Sequence, residues 1–240
     1  MAGPAGHAEA TWRILRGRIL DELCGKARVG NSRAIAPSSI RPDAPSDRSL
    51  PCIHHQRERA LAISRLTNPL PLRLIPTTEA DSFTSLPHGT TGVPTPPHPG
   101  AFGAPRKQHV HGGVDLYCME GTPVVAMEAG QVVAVAPVTG PHAEKPWWLN
   151  TWMVMIEGNS GVLGYGGLKP AVTAGESVAP GDHLGQILSM VRFASGRPTS
   201  LLHLELYQAG TREPVVWLEG EHRPAGMLDP TPLLLSIAGP

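Results

Sequence analysis

The residues with most chemical content fall in one short stretch, His109-Val-His111-Gly-Gly-Val-Asp115. Zinc takes imidazole nitrogen and carboxylate oxygen at about 2.0–2.2 Å, so two such ligands on one ion lie within roughly 3–4 Å of each other. On a straight strand His111 and Asp115 would be roughly 13 Å apart, at about 3.3 Å per residue. The chain must therefore bend between them. Gly112 and Gly113 permit the bend, because residues without a Cβ reach backbone torsions closed to others, and Gly-Gly-Val makes a poor helix interior. Alone, the pattern has little specificity, and a histidine that merely satisfies a buried hydrogen bond would match it as well. A third ligand comes from Leu201-Leu-His-Leu-Glu-Leu-Tyr207. With a strand period of two, Leu201, His203 and Glu205 share one face, while Leu202, Leu204 and Leu206 share the core face. His203 completes a set of two nitrogens and one oxygen, with a fourth tetrahedral position open. Glu205 is placed to support it.

The elements that must position these residues are mostly short strands. Thr122–Met127 and Gln131–Val135 flank Glu128-Ala-Gly130, which reads as a hairpin. Asn150–Glu157, the turn Gly158-Asn-Ser-Gly161 and Val162–Leu168 read as a second one, and Glu213–Glu219 as a further strand. Asp229-Pro-Thr-Pro starts a short closing helix or turn, with Leu233–Leu235 packing back. The spacing predicts a mainly β domain over residues 101–240. Ahead of it, Trp12, Ile14, Leu15, Ile19, Leu20 and Leu23 predict an amphipathic helix within residues 1–28. Residues 29–100, rich in Pro and Ser, read as a linker or arm, with an edge strand at Leu70–Pro76. His54-His55 reads as a solvated pair. Trp147-Trp148 reads as a hydrophobic plug or, less simply, as the lining of a groove.

Here the order of motifs resembles the lysostaphin-type peptidoglycan zinc metallopeptidases. Phe102-Gly-Ala-Pro-Arg106, His111-Gly-Gly-Val-Asp115, Gly121-Thr-Pro-Val-Val-Ala126, a tyrosine strand at Tyr165, turns at Gly175 and Gly181, the strand 201–205 and Asp229-Pro230 follow the family's sequence. The resemblance implies an antiparallel, duplicated-hybrid-motif-like sheet, Zn2+ on His111, Asp115 and His203, and Glu205, Tyr165 and His109 as supporting residues. It also marks two departures. Tyr165-Gly-Gly-Leu168 stands where the family has a Tyr-x-His-Leu motif, and Leu201 stands where it has a first histidine before His203. Gly167 and Leu201 thus occupy both catalytic histidine positions.

Imidazoles beside a metal orient or deprotonate water and stabilise the oxyanion. Removing one such group commonly costs about 10² or more in rate. Three readings follow: a zinc-binding, non-hydrolytic domain that binds peptidoglycan or protein or serves as an assembly subunit; an active endopeptidase using His109, His142 or His183 as a substitute base; and a metal-free structural β domain.

The whole chain sets bounds on these. Its 240 residues carry formal net charge zero, which gives no electrostatic support for nucleic-acid binding. Gly 27 and Pro 26 against 5% aromatics point to many turns. Cys24, Cys52 and Cys118 form no CxxC pair and read as free thiols; Cys118 reads as a buried bystander, not a fourth ligand. No apolar run reaches the 18 residues of a membrane span. The N-terminus carries no signal-peptide pattern, so the expectation is a cytoplasmic or virion-associated protein whose arm docks on another subunit.

Overall fold

The structure, a computed structural model, describes residues 66–78, 88–107, 109–192 and 198–238, all within a unit spanning 52–240. The helix expected before residue 28, most of the arm, and His54-His55 lie outside the described residues. Mainly β, the described chain holds one α-helix. No helix there is long and apolar enough to cross a membrane.

Nine strands build the main sheet. Its backbone is β11 (Leu201–Tyr207), β8 (Gly161–Pro170), β7 (Thr151–Gly158) and β6 (Gly130–Thr139), each antiparallel to the next. The free edge of β11 takes β4 (Gly113–Tyr117) along Leu201–Glu205 and β13 (Met227–Leu228) along Leu206–Tyr207. On the far side β9 (Ser177–Val178) closes against β6, and β10 (His183–Ile187) pairs both β5 (Pro123–Val125) and β8. Two small sheets flank this one. β1 (Arg73–Thr77) and β2 (Thr90–Pro94) run parallel, and β3 (His109–Val110) pairs β12 (Trp217–Leu218). Helix α1 (Thr231–Ile237) closes the fold after Pro230, with the Thr231 N–H donating to Asp229 Oδ1 at 2.8 Å.

The expected hairpin at 158–161 is present: β7 and β8 pair out to Gly158 opposite Gly161. The hairpin expected at Glu128-Ala-Gly130 is corrected. β5 pairs β10 and β6 pairs β7, so the turn carries the chain between non-adjacent strands. Glu128 serves that turn differently, accepting from the Ser160 N–H and hydroxyl. The strand expected over Glu213–Glu219 is reduced to Trp217–Leu218.

Alternation along β11 divides the interior. Leu202, Leu204 and Leu206 join Val114, Leu116, Val154, Ile156, Leu163 and Tyr165 in the larger cluster. Tyr207 joins Met153, Met155, Val162 and Met227 in the smaller one, on the face that carries His203. Leu70, Leu74 and Val93, all from the stretch read as an arm, are buried in the larger cluster. Each such side chain stabilises by about 1.5–3 kcal/mol.

Candidate metal centre

His203 and Asp115 are directly opposite across the β11–β4 pair, and their side chains meet, Nδ1 to Oδ1 at 2.8 Å. His111 reaches the same point from outside the sheet. The chain leaves β3 at Val110 and re-enters at Gly113, and His111 in the gap puts Nε2 at 3.0 Å from Asp115 Oδ1 and 3.2 Å from His203 Nδ1. The bend between His111 and Asp115 is therefore present, but its reason differs from the one expected. Neither Gly112 nor Gly113 has a positive φ. Gly113 is glycine because of crowding: a Cβ there would lie 2.4 Å from the Leu204 carbonyl and 2.9 Å from the His203 ring, whereas one at Gly112 would meet only the flexible end of Met227 at 2.8 Å.

Backbone from the proline-rich side holds His111 in place. The Ala104 carbonyl accepts its N–H, the Gly103 N–H donates to its carbonyl, and the Ala101 carbonyl accepts from Nδ1 at 2.8 Å. With the proton on Nδ1, Nε2 presents a lone pair to the centre. Gly100 continues the clasp by accepting the Asp115 N–H. Around the triad, Arg106 Nη2 donates to Asp115 Oδ2 at 2.9 Å, and Glu205 Oε1 receives His203 Nε2 at 3.0 Å. Glu205 Oε2 accepts from the Tyr207 hydroxyl.

Electrostatics follow from that crowding. Burial would raise the Asp115 pKa, but the two histidines hold it well below the usual carboxylate range. Burial would lower that of His203, yet hydrogen bonds and charge from Asp115 and Glu205 push it up to about 10. The three candidate ligand atoms lie 2.8–3.2 Å apart, a group able to hold a metal ion once the His203 Nδ1 proton shared with Asp115 is displaced. Tetrahedral zinc, with bonds of about 2.0–2.2 Å, needs ligand edges of roughly 3.3–3.6 Å. The site would fit with a few tenths of an ångström of expansion, and the His111–Ala101 and His203–Glu205 bonds are of the kind that orients imidazoles toward a metal.

The other expected residues are placed as follows. His109 is exposed on β3; burial of part of its ring and the charges of Arg106, His111, Lys145 and His203 lower its pKa. Tyr165 does not join the site: it shares the core face with Leu204, and its hydroxyl accepts from the Met127 N–H at 3.0 Å. His142 Nε2 is engaged at 3.0 Å by the Thr151 carbonyl, its ring edge-on to Trp152. His183 faces Val125 across the β10–β5 pair. Cys118 is buried in the larger cluster, where burial pushes its thiol up to about 12. Trp147 is 70% exposed and plugs nothing.

Gly167 lies where β8 hands its edge from β11 to β10. It is the extra residue of a β-bulge, between Gly166, opposite Met153, and Leu168, opposite Trp152. Its φ is +88°, and a Cβ there would stand 2.6 Å from the Leu201 carbonyl oxygen. Sequence reasoning missed Arg106's contact and the backbone clasp of residues 100–104. Arginine four residues after Phe102 was the available signal for the first; main-chain carbonyls leave none.

The sheet and its His-Asp-His cluster define a metallopeptidase-like β domain. Residues 109–215 match the model of Peptidase family M23. No curated protein matches it. Similar solved structures include the solution structure of lysostaphin, at 22% identity and TM-score 0.37 over 53% of this chain and 44% of that one. A putative peptidase M23 from Pseudomonas aeruginosa has 20% identity and TM-score 0.35 over 80% and 65%. A putative glycyl-glycine endopeptidase from Ruminococcus gnavus has 15% identity and TM-score 0.37 over 80% and 74%. The chain spans less than half the length of the lysostaphin chain it matches.

Proposed function

We propose that this domain binds one zinc ion through His111, Asp115 and His203, does not hydrolyse peptides, and acts as a peptidoglycan- or protein-binding module. The observation that carries the reading is the bulge at Gly167. The position resembling a catalytic histidine has a positive φ and no room for a Cβ, so it suits glycine and not imidazole. Its companion position holds Leu201, on the same face of β11 as His203. A divalent ion here supplies Lewis acidity. Asp115 and the two imidazoles hold it, Arg106 fixes the free oxygen of Asp115, and Glu205 keeps the Nε2 proton on His203. Neither Gly167 nor Leu201 can accept a proton or stabilise an oxyanion, and two losses of about 10² each imply a deficit on the order of 10⁴, though such effects seldom add.

A second reading keeps hydrolysis, with His109 as substitute base. Its support is that His109 lies two residues before His111, at the start of the β3–β12 pair. Elemental analysis of purified protein should find about one equivalent of zinc, largely lost in His203→Ala. The same preparation, given peptidoglycan and short alanine- or glycine-containing cross-link peptides, should release nothing above a chelator control. Chelator-sensitive cleavage that disappears in His109→Ala would establish the second reading. Absence of zinc from the parent chain would remove both and leave a structural β domain.

A further inference from the structure

Both imidazoles of the centre connect to the two-stranded ribbon of β3 and β12, by different routes. On one side the connection is covalent: β3 leads through Val110 directly into His111, and Val110 sits opposite Trp217 of β12. On the other side it runs through hydrogen bonds. His203, Glu205 and Tyr207 share one face of β11, at the strand period of two. His203 Nε2 meets Glu205 Oε1 at 3.0 Å, the Tyr207 hydroxyl donates to Glu205 Oε2, and the Val215 N–H donates to that same hydroxyl at 3.0 Å. Val215 lies two residues before β12, so the chain of bonds ends where the ribbon begins. The circuit from His111 through the ribbon to His203 is thereby closed. Its narrowest point is one oxygen atom. The Tyr207 ring is fully buried in the cluster with Met153, Met155, Val162 and Met227, where a phenylalanine would pack as well. A hydroxyl in such surroundings is costly unless bonded, and this one is bonded on both sides. Linked hydrogen bonds polarise one another, and each member fixes the orientation of the next.

We propose that Tyr207 is a positioning residue of the metal centre: its hydroxyl locks Glu205 against His203 on one side and holds the entry to the ribbon on the other, and so fixes the spacing of the two imidazoles. This rests on the zinc-binding reading above. A shift of β12 is then felt at the ion, and occupancy by the ion is felt at Val215, because coupling between two sites acts equally in both directions.

The test compares the full chain with its Tyr207→Phe variant, each loaded with zinc or with cobalt. Zinc affinity, read by competition with a chromophoric chelator, should fall about three- to tenfold, and the visible bands of the cobalt form should shift. Urea unfolding of the metal-free proteins separates a merely structural role. A variant that loses stability while its zinc constant and cobalt spectrum match the parent's overturns the inference. In the parent, zinc should slow amide exchange at Val215 severalfold, read by NMR, and leave Ala179, in an exposed turn closed by Asp182, unchanged. That measurement needs no variant and decides the matter should Tyr207→Phe fail to fold: equal protection of Val215 with and without zinc overturns the inference. A zinc-bound parent that fails either test keeps the metal reading, whereas a parent without zinc overturns both.

Discussion

The two positions that resemble the family's catalytic histidines touch each other through the backbone: a Cβ on Gly167 would stand 2.6 Å from the carbonyl oxygen of Leu201. Restoring the imidazoles is therefore not a matter of two independent exchanges. Leu201→His places a ring on a regular strand and should fold with its metal retained. Gly167→Ala should destabilise by roughly 1–3 kcal/mol, the usual cost of a strained torsion, with the carbonyl clash in addition. Urea unfolding measures this. Gly167→His combined with Leu201→His should be less stable still and should not gain robust cleavage. A double variant as stable as the parent that cleaves cross-link peptides would show that the bulge relaxes and that the missing rings alone silenced the site.

Glu205 holds the outer nitrogen of His203, Oε1 to Nε2 at 3.0 Å, and is itself held by the Tyr207 hydroxyl. Glu205→Gln keeps the shape and removes the charge. Metal affinity should fall about 10–100-fold, as is typical when such a carboxylate is lost. Competition against a chromophoric chelator reads it directly, and an unchanged constant would show that the carboxylate does not support the ligand.

Chelator-treated protein should show a pH dependence set by the same cluster. His203 has its pKa raised from 6.5 to about 10 on folding, so its contribution to stability is complete below about pH 6.5 and is lost as pH rises through about 10. Asp115 has its pKa lowered, so its contribution is present above the unfolded value of 3.8 and is lost as pH falls through the folded one. The thermal midpoint of the stripped chain should therefore be highest between about pH 4 and 6.5 and decline toward pH 10. Zinc should flatten the alkaline decline, because the ion takes the place of the proton on His203. A flat profile without metal would contradict the His203 assignment.

A chain beginning at Phe102 lacks Leu70, Leu74 and Val93 from the larger cluster and the Ala101 carbonyl from His111. Three such side chains at about 1.5–3 kcal/mol each approach the whole net stability of a domain, about 5–15 kcal/mol. This truncation should not give cooperative unfolding by circular dichroism and should bind zinc poorly. A cooperative, zinc-binding product would show that β1 and β2 are dispensable.

Much of the site was legible because its side chains follow strict periods. The alternation in Leu201–Tyr207 put His203 and Glu205 on one face, and they are there. The Asn150–Leu168 hairpin was legible because Gly158 and Gly161 bracket a two-residue turn between β-rich runs. What failed had long-range causes. Nothing local distinguishes a Glu128-Ala-Gly130 hairpin from a connection to distant strands, since the deciding pairs are β5 with β10 and β6 with β7. Tyr165 was assigned to the site from its motif, although its pairing with Leu204 turns it to the core. The burial of Leu70, Leu74 and Val93 was hidden by the prolines around them, and the clasp on His111 by its use of main-chain carbonyls, which any residue can provide.

The direct opposition of His203 and Asp115 across β11 and β4 would also make a bound metal a proofreader of alignment. Side chains on a strand alternate, so a slip of one residue between these strands would turn His203 inward and bring Leu202 or Leu204 to Asp115. A slip of two would offer Leu201 or Glu205 in its place. Only one alignment gathers both imidazoles and the carboxylate, and an ion that binds only that alignment raises the free energy of every other by comparison.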